Sequence, residues 1–99
     1  MGAIYLEIMI KAEDEKDFLE KMNDLFKEDR AYYGLDPYSG SWATMNGVQV
    51  ISDPYPEMEW SKDKYNKLDN YLCDNTQKRE TAKAIKTPKG YLVGGWAAS

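Results

Sequence analysis

The stretch Ala3-Ile-Tyr-Leu-Glu-Ile-Met-Ile-Lys11 constrains the architecture of this chain more than any other. Its side chains alternate, with aliphatic residues on one face and a mixed set on the other. A period of two with one wholly aliphatic face predicts a half-buried β-strand. We expect this aliphatic face to pack against the helix that follows it, through the side chains of Ile4, Leu6, Ile8 and Ile10.

The next segment, residues 13–33, changes to a helical period. Phe18, Met22 and Phe26 recur four residues apart and define one apolar side. Acidic residues fill the first turn, where they suit the positive end of the helix dipole. Gly34 follows the last turn, where helices often end in a left-handed residue. These signals predict a helix that covers the aliphatic face of the first strand.

Asn46-Gly47 separates two β-prone runs, residues 41–45 and 48–52. Asn-Gly between such runs is the strongest short hairpin signal, because both turn positions favour positive φ. We therefore predict a two-residue hairpin here. A proline-stiffened loop over residues 53–60 follows, and Ser61 is a suitable N-cap for a second helix.

The C-terminal segment favours a second hairpin. Thr87-Pro88-Lys89-Gly90 is a turn signal, and β-prone residues follow it. We prefer a hairpin that pairs residues 79–86 with 91–97. The alternative is that residues 81–86 extend the second helix.

The predicted order of elements is β-α-β-β-α-β-β in one domain over residues 1–99. Such an order predicts an α+β fold and resembles a ferredoxin-like arrangement with an extra strand. We expect a single antiparallel sheet with both helices on one face. A chain of 99 residues forms one thin core. This architecture hosts many functions, so function must be argued from a site.

The absence of histidine removes the commonest general base and the commonest zinc ligand. Cys73 is the only cysteine, so a reducing, cytoplasmic location is expected, and no histidine is present to activate its thiol. We expect no catalytic residue, metal or cofactor. An enzyme that uses carboxylates alone, or magnesium held by two carboxylates, remains an alternative.

The signals for membrane insertion and export are missing from the sequence. No apolar run approaches the roughly 20 residues of a membrane helix. The first residues have no basic region followed by an apolar run, so a secretory signal is not expected. We therefore expect no contact with a membrane.

Charge divides unevenly along the chain. Residues 1–60 carry thirteen acids and five bases, whereas residues 61–99 carry four acids and eight bases. This division favours one acidic and one basic face, unless folding mixes the two halves. The net charge of −4 and the small basic patch argue against binding of duplex nucleic acid.

The segment from Tyr32 to Trp42 holds four aromatic residues together with two glycines and two serines. Rigid amphipathic rings with adaptable hydrogen-bonding neighbours are typical of recognition loops. The alternative is that these rings cap the thin core. With further rings and bases from elsewhere in the chain, the predicted binding residues are Tyr32, Tyr33, Tyr38, Ser39, Trp42, Tyr55, Trp60, Arg79 and Lys83.

Two binding functions agree with these residues. In the first, a small anionic, nucleotide-like ligand stacks on the rings while Arg79 or Lys83 meets its phosphate. In the second, the acidic first helix occupies a basic, nucleic-acid-binding surface of a host protein. The acids of that surface would be Glu13, Asp17, Glu20 and Asp24. We also expect a homo-oligomer, because the core is thin and aromatics are in surplus.

In its short length, its acidity, its many Tyr and Trp residues and its lack of histidine, the chain resembles small accessory proteins of phages. These include proteins that block host defences. The resemblance concerns size and composition and involves no sequence motif. It implies stoichiometric binding and inhibition in place of turnover.

Overall fold

The structure of the protein, a computed structural model, describes residues 2–34, 39–77 and 80–98. Within these residues the α+β class is confirmed, with two helices and one open four-stranded sheet. In chain order the elements are β1 (Ala3–Ile10), α1 (Glu15–Tyr33), a 3-10 helix (Trp42–Thr44), β2 (Val48–Ile51), α2 (Lys62–Asn75), β3 (Ala82–Thr87) and β4 (Gly90–Ala98). None of the described helices is long and apolar enough to cross a membrane.

Helix α1 ends at the predicted residue, Tyr33, and begins at Glu15, two residues after the predicted start. The Asp14 carboxylate accepts a hydrogen bond from the Asp17 backbone at 2.8 Å, and the Asp17 carboxylate accepts one from the Glu13 backbone at 3.0 Å. Two free amide groups of the first turn are thereby satisfied. At the other end Gly34 has a φ of +66°, and its amide donates to the Arg30 carbonyl. Local sequence therefore fixes both ends of this helix.

The sheet is mixed, whereas the sequence predicted a purely antiparallel one. Its strands lie in the order β1-β4-β3-β2. Strand β4 pairs antiparallel with β1 and β3, but β2 pairs parallel with β3. Strands β1, β2 and β3 consequently run in the same direction, and their carboxyl ends lie at the same edge of the sheet.

The two helices lie on opposite faces of the sheet, so the prediction of both helices on one face is wrong. On β4, Val93 packs in the cluster that contains α1, and its neighbour Leu92 packs in the cluster that contains α2. The chain crosses the sheet from β1 to β2 and then returns to β3 in the opposite direction. Crossovers of the same hand that run in opposite directions place their helices on opposite faces.

Strand β1 keeps the alternation that its sequence predicts. Leu6, Ile8 and Ile10 pack against the cluster around Phe18, which confirms that this face meets α1. Ile4 is the exception, because it is 47% exposed. Side chains of the opposite face pack with α2. Both faces of β1 are therefore packed, one against α1 and the other against α2.

The hairpin predicted at Asn46-Gly47 is wrong. Gly47 does have a positive φ, of 92°, but residues 42–44 form a 3-10 helix where a strand was predicted. The backbone around the turn bonds to distant residues, since the Ala82 amide donates to the Gly47 carbonyl at 2.9 Å. The Trp42 amide in turn donates to the Asp29 carboxylate of α1 at 3.0 Å. Contacts with β3 and α1 thus override the local turn preference.

The C-terminal hairpin is confirmed, and β3 and β4 pair on either side of Pro88 and Lys89. The Thr87 hydroxyl closes this turn, because it accepts from the Lys89 amide at 3.1 Å and donates to the Gly90 carbonyl at 2.9 Å. Gly90 has a φ of +137°. The turn is therefore held in one conformation at the edge where β1, β2 and β3 end.

Candidate functional site

The residues predicted to bind a ligand divide between the two edges of the sheet. Tyr32 and Tyr33 end α1 at the edge where β2 and β3 begin, with their rings edge to face and 4.7 Å between centroids. Tyr32 is 83% exposed. Tyr55 and Trp60 lie at the other edge, between the end of β2 and the start of α2. The described members of the predicted set do not form one surface.

Three other members of the predicted set are structural or face away. Trp42 is only 8% exposed and belongs to the core beside α1. This agrees with the alternative that the ring caps the thin core. Ser39 is half-buried and shares a hydrogen bond with Ser41. Lys83 alternates with Ala82 and Ala84, so it lies on the opposite face from Trp42. Tyr38 and Arg79 lie outside the described residues.

Two grooves open at the edge where β1, β2 and β3 end. The first, which we call the Trp60 groove, has a volume of about 630 Å³ and is lined by Trp60, Ser61, Lys62, Tyr65, Pro88 and Lys89. The second, the Lys11 groove, has a volume of about 340 Å³ and is lined by Lys11, Ala12, Lys86, Thr87, Pro88, Lys89, Gly90 and Tyr91. Ligands of open α/β sheets bind in crevices at this edge, where successive crossovers diverge to opposite faces.

A buried lysine positions the Trp60 ring. Lys64 is 1% exposed, and its ammonium group donates to the Asp53 carboxylate at 2.6 Å and to the Met58 carbonyl at 3.1 Å. The same group lies 3.8 Å from the centroid of the Trp60 ring. Partial burial would raise the pKa of Asp53, but its hydrogen bonds from Lys64 and the Tyr55 backbone hold that pKa below the usual value. The loop that carries Trp60 is therefore fixed to α2.

The Trp60 groove presents two aromatic rings to solvent. The rings of Trp60 and Tyr65 are inclined by 44° with their centroids 5.5 Å apart, and Trp60 is 38% exposed. Because the Lys64 ammonium covers one face of the indole, a planar ligand can stack only on the other face. The Lys89 ammonium lies 5.1 Å from the Tyr65 ring, within reach of a charged group on such a ligand.

The lining of the two grooves differs in charge from the protein as a whole. Among the described residues, four lysines and no acid line the two grooves: Lys11, Lys62, Lys86 and Lys89. None of the four forms an ion pair with another described residue, whereas Lys64 and Lys21 each do. Glu59 and Asp63 are sequence neighbours of groove residues but line neither groove. The grooves therefore form a locally cationic surface.

Sequence reasoning found Trp60 but missed its partners Lys62, Tyr65 and Lys89 as a site. Ser61 was recognised as the cap of α2, and its hydroxyl does accept from the Lys64 amide at 3.3 Å. The missing information was the parallel pairing of β2 with β3, which brings the start of α2 beside the β3–β4 turn. The sequence signal that could have indicated the site was a basic residue in a predicted turn, together with aromatic residues near the N-cap of a predicted helix.

A second polar cluster lies between β1 and α2. The Tyr5 hydroxyl donates to the Glu7 carboxyl at 3.2 Å, and one oxygen of Asp69 is buried with no hydrogen-bond partner among the described residues. Burial of its carboxyl group, then hydrogen bonding to Asp69 and the charge of that residue, raise the pKa of Glu7 to about 7. Burial and the neighbouring Glu7 carboxylate also raise the pKa of Tyr5. A Glu7 carboxyl group with this raised pKa is partly protonated near neutral pH.

The cluster predicts how stability depends on pH. The pKa of Glu7 in the folded protein, about 7, exceeds its ordinary value of 4.5. Its stabilising contribution is therefore complete below about pH 4.5 and is lost as the pH rises through about 7. We expect the free energy of unfolding, measured with urea, to fall between about pH 5 and pH 8.

Glu7→Gln keeps a side chain that can donate to Asp69 and accept from Tyr5, but it removes the titration. This variant should show a smaller fall in stability over the same pH range, whereas Glu20→Gln on the exposed side of α1 should behave like the parent. An equal fall in the Glu7→Gln protein would show that the raised pKa of Glu7 is not its cause.

The described residues contain no group of three or more His, Cys, Asp or Glu side chains that could hold a metal ion. Comparisons with known proteins find no matching family model, curated protein or solved structure. The resemblance to phage accessory proteins stays a prediction from size and composition.

Proposed function

We propose that the protein binds a small anionic ligand with a planar ring, such as a nucleotide, in the Trp60 groove. One observation carries this proposal: the described residues that line the two grooves include aromatic rings and four lysines but no acid. The protein as a whole has seventeen acids and thirteen bases, so the lining of the two grooves has the opposite sign to the net charge. A lining of this charge attracts an anion.

Each part of the ligand has a partner in the groove. A base stacks on the free face of Trp60, a contact worth about 1–3 kcal/mol per base. A phosphate meets the ammonium groups of Lys62 and Lys89, which act as point charges. The 14-residue helix α2 begins at this groove, and its dipole adds to the attraction. Rings and cations together select a ligand that is both planar and negative.

The proposed activity is binding without turnover. The described residues of the Trp60 groove supply rings, a hydroxyl and ammonium groups, but no carboxylate, thiol or imidazole. Such a set neutralises and orients a phosphate, and it lacks histidine and carboxylates, the side chains that most often act as general acids and bases. Sequestration of a cytoplasmic nucleotide would be stoichiometric, as the resemblance to phage accessory proteins implies.

Titration calorimetry with adenosine monophosphate tests the proposal. We expect one ligand per chain, and a loss of affinity of about ten-fold or more in Trp60→Ala and in Lys89→Ala, because each loses a direct contact. Tyr32→Ala and Lys83→Ala are the matched controls, since they remove a ring and a cation from positions outside both grooves. Both controls should bind like the parent.

Two results would contradict the proposal. If Tyr32→Ala or Lys83→Ala weakens binding while Trp60→Ala does not, the ligand binds away from the Trp60 groove. If adenosine, guanosine, cytidine and uridine monophosphates all fail to bind the folded protein, the groove is not a nucleotide site. Circular dichroism of each variant separates loss of binding from loss of fold.

The alternative function, docking of the acidic helix on a basic host protein, has weaker support from geometry. The Asp17 carboxylate already accepts from the Glu13 backbone and pairs with Lys21 at 3.2 Å. These contacts, the backbone hydrogen bond foremost, lower the pKa of Asp17. One of the four proposed acids is thus committed to capping α1, which leaves Glu13, Glu20 and Asp24 as exposed members.

A further inference from the structure

Resting on the proposed function, we infer that the ligand carries a chain of two or more phosphates, whose distal end occupies the Lys11 groove. The ligand class is then a nucleoside diphosphate or triphosphate. Its base lies in the Trp60 groove, and its phosphate chain passes over the β3–β4 turn. The inference follows from the position of the two grooves on either side of one turn, from the lysines that line them and from the contacts that fix their backbone.

The grooves are adjacent, because they share lining residues. Pro88 and Lys89 belong to both, with the Trp60 groove on the α2 side of the turn and the Lys11 groove on the α1 side. Tyr91, which lines the Lys11 groove, stacks on Phe18 of α1 with 4.3 Å between centroids. A phosphate chain that leaves the Trp60 groove beside Lys89 therefore has only this turn to cross before it reaches the Lys11 groove.

The Lys11 groove has the charge of a phosphate site but lacks an exposed ring pair. Its cations are Lys11, Lys86 and the shared Lys89, and none is paired with a described acid. Each phosphate added to a nucleotide brings about one further negative charge. Three ammonium groups around a space of about 340 Å³ therefore match the distal part of a polyphosphate better than a second base.

Protection of a sheet edge against pairing does not explain Lys86 and Lys89. Lysine on an edge strand discourages pairing with another sheet. Lys86 and Lys89, however, belong to β3 and its turn, and β3 lies inside the sheet between β4 and β2. Lys86 follows Ala84 by two positions, so it lies on the α1 side, where the Lys11 groove opens. The topology thus favours a ligand as the reason for these charges.

The backbone of the groove is rigid. The Lys21 ammonium donates to the Lys11 carbonyl at 2.7 Å, which ties the end of β1 to α1. The Thr87 hydroxyl accepts from the Lys89 amide, which holds the shared lysine in its turn. Gly90 approaches the end of β1 so closely that a Cβ would lie 2.5 Å from the Ile10 carbonyl oxygen. The backbone that carries these lysines is consequently preorganised.

Calorimetric titration with adenosine mono-, di- and triphosphate, without divalent cations, tests the inference. We expect the affinity to rise about three- to ten-fold with each added phosphate. The double variant Lys11→Ala/Lys86→Ala should bind the triphosphate about as weakly as the parent binds the monophosphate. Its affinity for the monophosphate should be unchanged, because Lys62 and Lys89 remain. Lys16→Ala/Lys27→Ala, which removes two exposed lysines of α1, is the matched control and should retain the rise.

The outcomes separate this inference from the function on which it rests. Equal affinities for all three nucleotides, or an equal loss for all three in the double variant, would overturn the inference and leave nucleotide binding intact. Inorganic triphosphate that binds as tightly as adenosine triphosphate would show that the ring adds nothing, and would overturn the proposed function. Failure of every nucleotide to bind would overturn both.

Discussion

Replacing Lys64 with methionine is expected to lower the free energy of unfolding by about 3 kcal/mol. Lys64 is 1% exposed, and its ammonium group is shared by the Asp53 carboxylate, the Met58 carbonyl and the Trp60 ring. Methionine fills most of the volume, but it leaves a partly buried carboxylate without its cation. Removing one partner of a buried pair costs more than the pair contributes, because the other charge remains desolvated.

Urea denaturation at neutral pH measures this loss. Lys67→Met is the matched control in the same helix, because Lys67 is exposed and its ammonium group lies 5.2 Å from the centroid of the Tyr55 ring. It should cost less than about 1 kcal/mol. Adding Asp53→Asn to Lys64→Met should cost little more than Lys64→Met alone, because the two residues act as a unit. Equal stability of Lys64→Met and Lys67→Met would contradict this description of the loop.

Gly90→Ala is expected to cost about 3 kcal/mol of stability, from steric overlap together with backbone strain. The φ of Gly90 is +137°, where residues with a Cβ are strained. A Cβ there would lie 2.5 Å from the Ile10 carbonyl oxygen and 3.1 Å from the Lys11 Cα. Both are backbone atoms, Ile10 the last residue of β1 and Lys11 the residue after it, so relief requires that the end of β1 and the start of β4 separate.

Thermal or urea unfolding measures the effect, with Gly34→Ala as the control. Gly34 also has a positive φ, +66°, but no described atom lies within 4 Å of the position of its Cβ. That substitution should therefore cost about 1 kcal/mol, from the backbone alone. If the two variants are equally stable, the close approach of Gly90 to β1 does not hold the groove. Gly90→Ala should also weaken nucleotide binding, because it displaces the turn that carries Lys89.

The sequence predicted those elements that are determined by residues close together in the chain. Asp14 and Gly34 cap α1, Ser61 caps α2, and the alternation of residues 3–10 forms β1. The turn after Thr87 is likewise closed by hydrogen bonds between residues that are close in sequence. Sheet pairing is not local, and Asn46-Gly47 shows the consequence. Its positive φ was predicted, but its hydrogen bonds go to Glu80 and Ala82, more than thirty residues away.

The candidate site was harder to predict for the same reason. Trp60 could be named because a large ring in a wet, acidic chain suggests a binding role. Its neighbours Tyr65 and Lys89 come from different parts of the chain and meet only because β2 and β3 pair in parallel. Trp42 satisfied the same compositional argument, yet it is buried. Composition therefore identified the kinds of residue, and topology decided which of them share a surface.

Amide chemical shifts of the ¹⁵N-labelled protein, followed as adenosine monophosphate is added, test the central claim most directly. Binding in the Trp60 groove predicts shifts of the Trp60 indole, of the first turn of α2 from Ser61 to Tyr65, and of Lys89 and Gly90. The amides of Tyr32 and Lys83, at the opposite edge, should stay unchanged. Shifts confined to Tyr32, Lys83 and their neighbours, or no shifts at saturating ligand, would contradict the account.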